Sequence, residues 1–165
     1  MTQLDVRAPG ECMACDLTMG IRPLPGGTIL RTDTWTVEHC VGPLGLGTLV
    51  VKSLRHVLHV SDLTASESAE LGPLLTRVSG AVTSLLNPEQ VYVCLWSHAG
   101  GVPGHIHFVV QPVGAEAMSE YDASGPALQM AMFAAGRAPD EAQVAELCDR
   151  LRTELGGQAE TAPPA

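Results

Sequence analysis

The sequence predicts an α+β domain: a mostly antiparallel five-stranded sheet with one long helix packed on it, followed by C-terminal helices. Three observations point there. Thr64-Ala65-Ser66-Glu67 has the form of a capping box, and Leu71, Leu74, Leu75, Val78, Val82, Leu85 and Leu86 follow it at helical spacing. Short runs rich in Val, Ile, Thr and aromatic residues lie on both sides of that helix, bounded by Gly and Pro. The 165 residues, 45% of them apolar, suffice for one packed core and contain no internal repeat.

Taken in order, residues 1–11 read as a flexible arm, and 12–25 as irregular chain ending in the turn Pro25-Gly26-Gly27. Thr28 to Arg31 and Thr34 to Cys40 read as a hairpin, and Gly47 to Lys52 as a third strand. The long helix runs to about Leu86, where Asn87-Pro88 stops it; Gly72-Pro73 is expected to bend it near its start. Val91 to Trp96 and His105 to Pro112 are the last two strands, joined by a glycine-rich loop. Residues 12–113 thus form the main domain. Residues 114–155 form a helical extension with helices at Ala127 to Ala135 and about Asp140 to Leu155, and 156–165 a disordered tail.

The net charge of −9 argues against binding a nucleic-acid polymer, which calls for a basic face. No run of 18 apolar residues is present to cross a membrane, and residues 1–10 lack the apolar stretch of a signal peptide. A cytoplasmic protein without membrane contact is the expectation. Five cysteines in such a compartment make a poor disulfide framework, and Cys94 and Cys148 read as small buried hydrophobes. His39 and His59 read as structural or exposed.

Cys12-Met13-Ala14-Cys15 has the spacing by which two thiolates reach one zinc ion. A redox motif has the same spacing, but usually opens a helix after a strand, and nothing before Cys12 reads as one. Two further ligands would come from His39, His56, His59, His98, His105 or His107. In His105-Ile106-His107, strand alternation puts both imidazoles on one face. The preceding Gly100-Gly101-Val102-Pro103-Gly104 lets backbone approach a ligand closely.

These pieces, in this order, resemble the histidine-triad family over about Glu11 to Val113. They are Cys12-x-x-Cys15, the run Pro43 to Val51, Arg55-His56-Val57, the long helix with its acidic first turn, the glycine-rich loop, and His105-Ile106-His107-Phe108-Val109-Val110-Gln111. The resemblance implies a small α+β domain, usually a homodimer, with the histidine strand lining a nucleotide-phosphate cleft. It implies a structural zinc ion on Cys12, Cys15, His56 and His105, and His107 as the nucleophile that becomes nucleotidylated. The family's third histidine falls at Val109, so Gln111, one step along the same face, or His98, in the preceding loop, would have to stand in. The acid that holds the ribose falls near Cys40, with Glu38 beside it. Ser97, Gly100 and Gly101 are the loop residues nearest the expected phosphate, where Val102 and Pro103 bring no polar side chain.

The expected function is a nucleotide hydrolase or nucleotidyl transferase cleaving a phosphoanhydride or phosphoramidate through His107. Two alternatives are a repurposed zinc enzyme on this scaffold acting on a non-nucleotide substrate, in a biosynthetic pathway for instance, and a non-catalytic binding module.

Overall fold

The structure, a computed structural model, describes residues 8, 10–102 and 104–160, the side chains of 157–160 excepted. The bulk of the predicted arm, Pro103 and the end of the predicted tail lie outside the described residues. The elements in chain order are α1 (Met13–Thr18), β1 (Thr28–Arg31), β2 (Trp35–His39), β3 (Leu49–Ser53), α2 (Ala65–Leu86), β4 (Gln90–Leu95), β5 (His107–Val113), α3 (Ala115–Tyr121), α4 (Gly125–Ala135) and α5 (Glu141–Glu160), with a single 3-10 turn at Val60–Asp62. The five strands form one sheet in the order β1-β2-β3-β5-β4, antiparallel at every pairing.

Alternation along the strands divides the sheet into two faces. Val37, Val51 and Phe108 are aligned across β2, β3 and β5, and with Val110 they face the main core. There they meet Val78, Ala81 and Val82 of α2 and Leu147, Cys148 and Leu151 of α5. Trp35 is fully buried in this layer, donates its indole N–H to the Glu67 carbonyl at 3.0 Å, and meets the Phe108 ring edge-on. The opposite face carries two cross-strand rows: Thr36, Lys52 and His107, then Glu38, Val50, Val109 and Cys94. That second face carries His107.

Helix α2 begins as its sequence dictates. Glu67 N–H donates to Thr64 Oγ1 at 3.2 Å, and Thr64 N–H to Glu67 Oε2 at 2.7 Å, so two amides that the first turn would orphan are paired. Pro73 lies inside the helix, which continues through it to an Asn87 cap with φ of 45°. Helix α4 ends on Gly136, also left-handed, with φ of 67°.

Four expectations need correction. The stretch after Cys12 is not irregular but holds α1, a helix too short for a periodic pattern to announce it. Asp16 pins that helix by accepting from the Gly10 amide at 3.0 Å and pairing with Arg22 at 3.3 Å. Strand β5 starts at His107, so His105 precedes the ladder instead of opening it. Helix α3 was not anticipated. Lastly, α5 continues to Glu160 rather than ending near Leu155 before a disordered tail. Glycines at 156 and 157 cost only about 1 kcal/mol each in a helix, and the good helix formers around them carry it on.

At Gly26 the turn before β1 runs against α5, with φ of +75°. A Cβ there would come within 2.9 Å of the Cys148 Cβ and 3.3 Å of the Val144 carbonyl. Gly26→Ala adds left-handed strain to overpacking, and is expected to destabilise the protein by about 2–4 kcal/mol. The measurement is a lower urea midpoint at unchanged m-value; an unchanged midpoint would show that the turn yields freely.

Candidate active site and metal centre

Helix α1, capped at Cys12, lays Cys12 and Cys15 against two histidines from other parts of the chain. Cys15 Sγ lies 3.4 Å from His56 Nδ1 and 3.5 Å from His105 Nδ1, and Cys12 Sγ lies 3.9 Å from His105 Nδ1. All four donor atoms lie within 4.8 Å of one another. Bonds of about 2.3 Å to sulfur and 2.0 Å to nitrogen put S and N about 3.5 Å apart on a tetrahedral ion. The two Cys15–histidine separations are close to that edge, the wider ones would close on an ion, and two thiolates with two imidazoles are a donor set zinc favours. Cys12 does open a helix, as a redox cysteine pair often would, but no strand precedes it among the described residues and two imidazoles converge on the pair.

The His105 tautomer suits this role. Its Nε2–H donates to the Ser53 carbonyl at 2.9 Å, beside Ser53 Oγ at 3.1 Å, which leaves the Nδ1 lone pair toward the cysteines. Burial, then the neighbouring His56, push its pKa down to about 4, so the imidazole is neutral at pH 7, the coordinating form.

His107 lies two residues on. Its Nδ1–H donates to the His105 carbonyl at 2.9 Å, which fixes the tautomer and leaves the Nε2 lone pair free. The side chain lines a cavity of about 730 Å³ on the second sheet face. Its walls are largely apolar: Leu17 of α1, Leu44, Val50, Val109, Trp96 and Phe133 of α4 are among them.

Of the expected substrate residues, Glu38, Cys40 and Gly101 line this cavity. Gly100 lines a smaller one of about 380 Å³ beside Cys12 and His56, which Gly101 also borders. Ser97 lines neither; its hydroxyl is buried without a hydrogen bond. The Cys40 thiol, pushed up by burial, accepts the Gly42 amide at 3.3 Å.

The two stand-ins for the third histidine fare differently. His98 lines the cavity with His107. Gln111 is fully buried and engaged elsewhere: its amide N–H groups donate to the Leu44 carbonyl at 2.9 Å and to Met132 Sδ at 3.3 Å, and its oxygen accepts from Gln129 at 2.8 Å. His39 is buried and structural, bonding the Cys40 carbonyl through Nδ1 and the Gly47 amide through Nε2. Cys148 is a buried core residue as expected, whereas Cys94 is half-buried and lines the cavity, where Gln129 donates to its sulfur at 3.2 Å.

Sequence reasoning missed Lys52, which pairs with Glu38 on the cavity wall, and the α4 residues Gln129, Met130 and Phe133. A lysine alternating with core Val51 was a readable signal. Nothing in the local pattern of α4 says which surface it meets.

The sequence matches no protein-family model and no curated protein. Solved structures do match in fold. A zinc-bound histidine triad family protein from Mycobacterium smegmatis superposes with a TM-score of 0.66 at 19% identity, covering 92% of this chain and 98% of that one. A hypothetical histidine triad nucleotide-binding protein from Sulfolobus tokodaii gives 0.67 at 14% identity, over 88% and 93%. The diadenosine triphosphate hydrolase of Plasmodium falciparum gives 0.59 at 14%, over 79% and 77%. With its sheet order, single crossing helix and histidine strand, the chain has the histidine-triad fold.

Proposed function

We propose that the protein is a nucleotide hydrolase or nucleotidyl transferase with His107 as nucleophile and a structural zinc ion on Cys12, Cys15, His56 and His105. One observation carries the reading: His107 has a fixed tautomer, with Nδ1–H on the His105 carbonyl and a free Nε2 lone pair in a ligand-sized cavity. The fold neighbours named for nucleotide binding and for diadenosine triphosphate hydrolysis support it, as does the zinc-bound relative for the metal. Zinc would supply structure alone, because four protein donors leave no open position for water.

In the first displacement Nε2 attacks phosphorus and the P–O or P–N bond to the leaving group breaks, its electron pair going to that group. The Nδ1 proton stays on the ring and is donated to the His105 carbonyl, a bond that stabilises the nucleotidyl-imidazolium that forms. Water then attacks phosphorus, the P–N bond to His107 breaks, and a proton is released. Val109 offers no proton to the leaving group. Phosphoanhydrides, whose leaving groups depart as stable anions, are thus favoured over phosphoramidates unless His98 donates. Cys40 and Gly101 are the proposed direct substrate contacts; Glu38, the third expected residue on this wall, is engaged by Lys52.

Acid quenching during turnover of diadenosine triphosphate or an adenosine phosphoramidate, followed by mass spectrometry, is expected to find an added nucleotidyl group mapping to His107. Turnover with no adduct on any residue would overturn the mechanism. No turnover and no nucleotide binding would favour the repurposed enzyme or the binding module.

We propose further that the protein is a homodimer. Strand β4 ends the sheet, and Val93 and Leu95 on it are 46% and 40% exposed. An unpaired edge with exposed apolar residues invites a second strand. Light scattering is expected to give twice the chain mass, and a monomer at micromolar concentration would overturn this. No helix among the described residues is long and apolar enough to cross a membrane.

A further inference from the structure

Resting on the nucleotide reading above, we propose that Lys52 is the phosphate-binding residue of this site, held toward the cavity by Glu38 and the Ala14 carbonyl.

A buried lysine next to the nucleophile calls for a reason. Lys52 is 1% exposed, and Glu38, its ion-pair partner, is 3% exposed. Taking two charges out of water is costly before their attraction is counted, and apolar residues of similar size often do as well or better for stability. A stability role alone therefore explains the pair poorly.

Position supplies a better reason. Lys52 on β3 is the cross-strand partner of His107 on β5, so both side chains leave the same sheet face from adjacent positions. Both line the large cavity, and Lys52 is the one lysine or arginine among its described lining residues. The rest of the phosphate machinery is thin. The third-histidine position is Val109, and the loop contributes Val102. An anion reacting at His107 Nε2 has Lys52 as the one lysine or arginine on the described cavity wall.

The donor count is consistent with this. An ammonium carries three N–H donors. Lys52 gives one to the Ala14 carbonyl at 2.7 Å and holds the Glu38 carboxylate as an ion pair. No other acceptor for the ammonium is found among the described residues, so donor capacity remains for a ligand. Glu38 and Ala14 fix the ammonium between α1 and the sheet, so little side-chain entropy remains to be lost when a phosphate oxygen arrives. Glu38 then reaches the substrate through Lys52 and acts as a positioning residue.

A purely structural Lys52 would tie α1 to the sheet and read nothing in the ligand. The two roles separate in binding. Trp96 lines the cavity and is half exposed, so its fluorescence can report occupancy by AMP or by adenosine in the full-length, zinc-loaded protein. Wild type is expected to bind AMP about tenfold or more tightly than adenosine, the worth of one charge-assisted hydrogen bond. Lys52→Met alone would strand the Glu38 carboxylate, so the informative variant is the double change Lys52→Met with Glu38→Gln, which leaves no unpaired charge. That variant is expected to bind adenosine as wild type does and to lose the preference for AMP; Lys52→Arg is expected to keep part of it.

A folded, zinc-containing double variant that still prefers AMP would overturn the assignment and reduce Lys52 to a tie. If wild type shows no preference yet forms the His107 adduct, the assignment falls while the proposed function stands. If wild type binds neither compound and forms no adduct, the nucleotide reading falls and takes the assignment with it.

Discussion

Replacing His107 by alanine is expected to lower kcat/KM on a nucleotide substrate by roughly 10⁴-fold or more, the scale seen when a covalent nucleophile is deleted. Stability and zinc content should change little. The side chain is partly exposed at the cavity wall, and truncating it removes one hydrogen bond, Nδ1–H to the His105 carbonyl, while leaving the β5 ladder to β3 and β4 in place. The AMP affinity should persist, since Lys52 is untouched. Loss of turnover with retained binding is what separates a nucleophile from a binding residue. Added imidazole, small enough to enter the space vacated at the wall, is expected to restore a fraction of the rate by attacking phosphorus in its place. A His107→Ala protein that turns over every substrate at the wild-type rate would remove His107 from the mechanism.

Legibility in the sequence followed the range of the interactions. The α2 start was readable because a capping box is a contact between residues three apart, and the bonds at Thr64 and Glu67 are the ones that pattern implies. The strands were readable because alternation records which residues share a face: Val37 and Val51 toward the main core, Glu38 and Lys52 on the other side, which is buried as well. The candidate metal cluster was half readable. Spacing pointed to Cys12 and Cys15, but His56 and His105 lie 41 and 90 residues from Cys15, and only likeness to a family singled them out.

What stayed hidden depends on tertiary placement. No local rule says that α4 would cover the cavity, or that Gln129 would occupy the Gln111 oxygen and so withdraw Gln111 from the reactive face. Helix α1 escaped because six residues are too few for a period. The Lys52–Glu38 pair was visible only as a lysine out of keeping with a valine-rich strand; its partner became evident once β2 lay beside β3.

The second large effect concerns the proposed zinc ion. Removing it, by chelation or by Cys15→Ser, is expected to lower Tm by about 8–16 °C. A ligand held at 1,000 times its Kd stabilises the native state by about 4 kcal/mol, and a chain of this size loses about 2–4 °C per kcal/mol. The loss should be local. Cys12, Ala14 and Cys15 form a small cluster of their own, separate from the main core of α2, α5 and the sheet. Hydrogen exchange is therefore expected to show α1 and the segment around His56 losing protection in the metal-free protein, while α2 and α5 keep theirs. Activity should fall with the metal, because the carbonyl that orients His107 belongs to the proposed ligand His105, and because Lys52 is anchored on Ala14 between the two cysteines. A Cys15→Ser protein with wild-type Tm, or zinc analysis finding no metal in the purified native chain, would show that the four donors converge for another reason. Retained Tm with lost activity would instead place the ion in the chemistry and contradict its structural role.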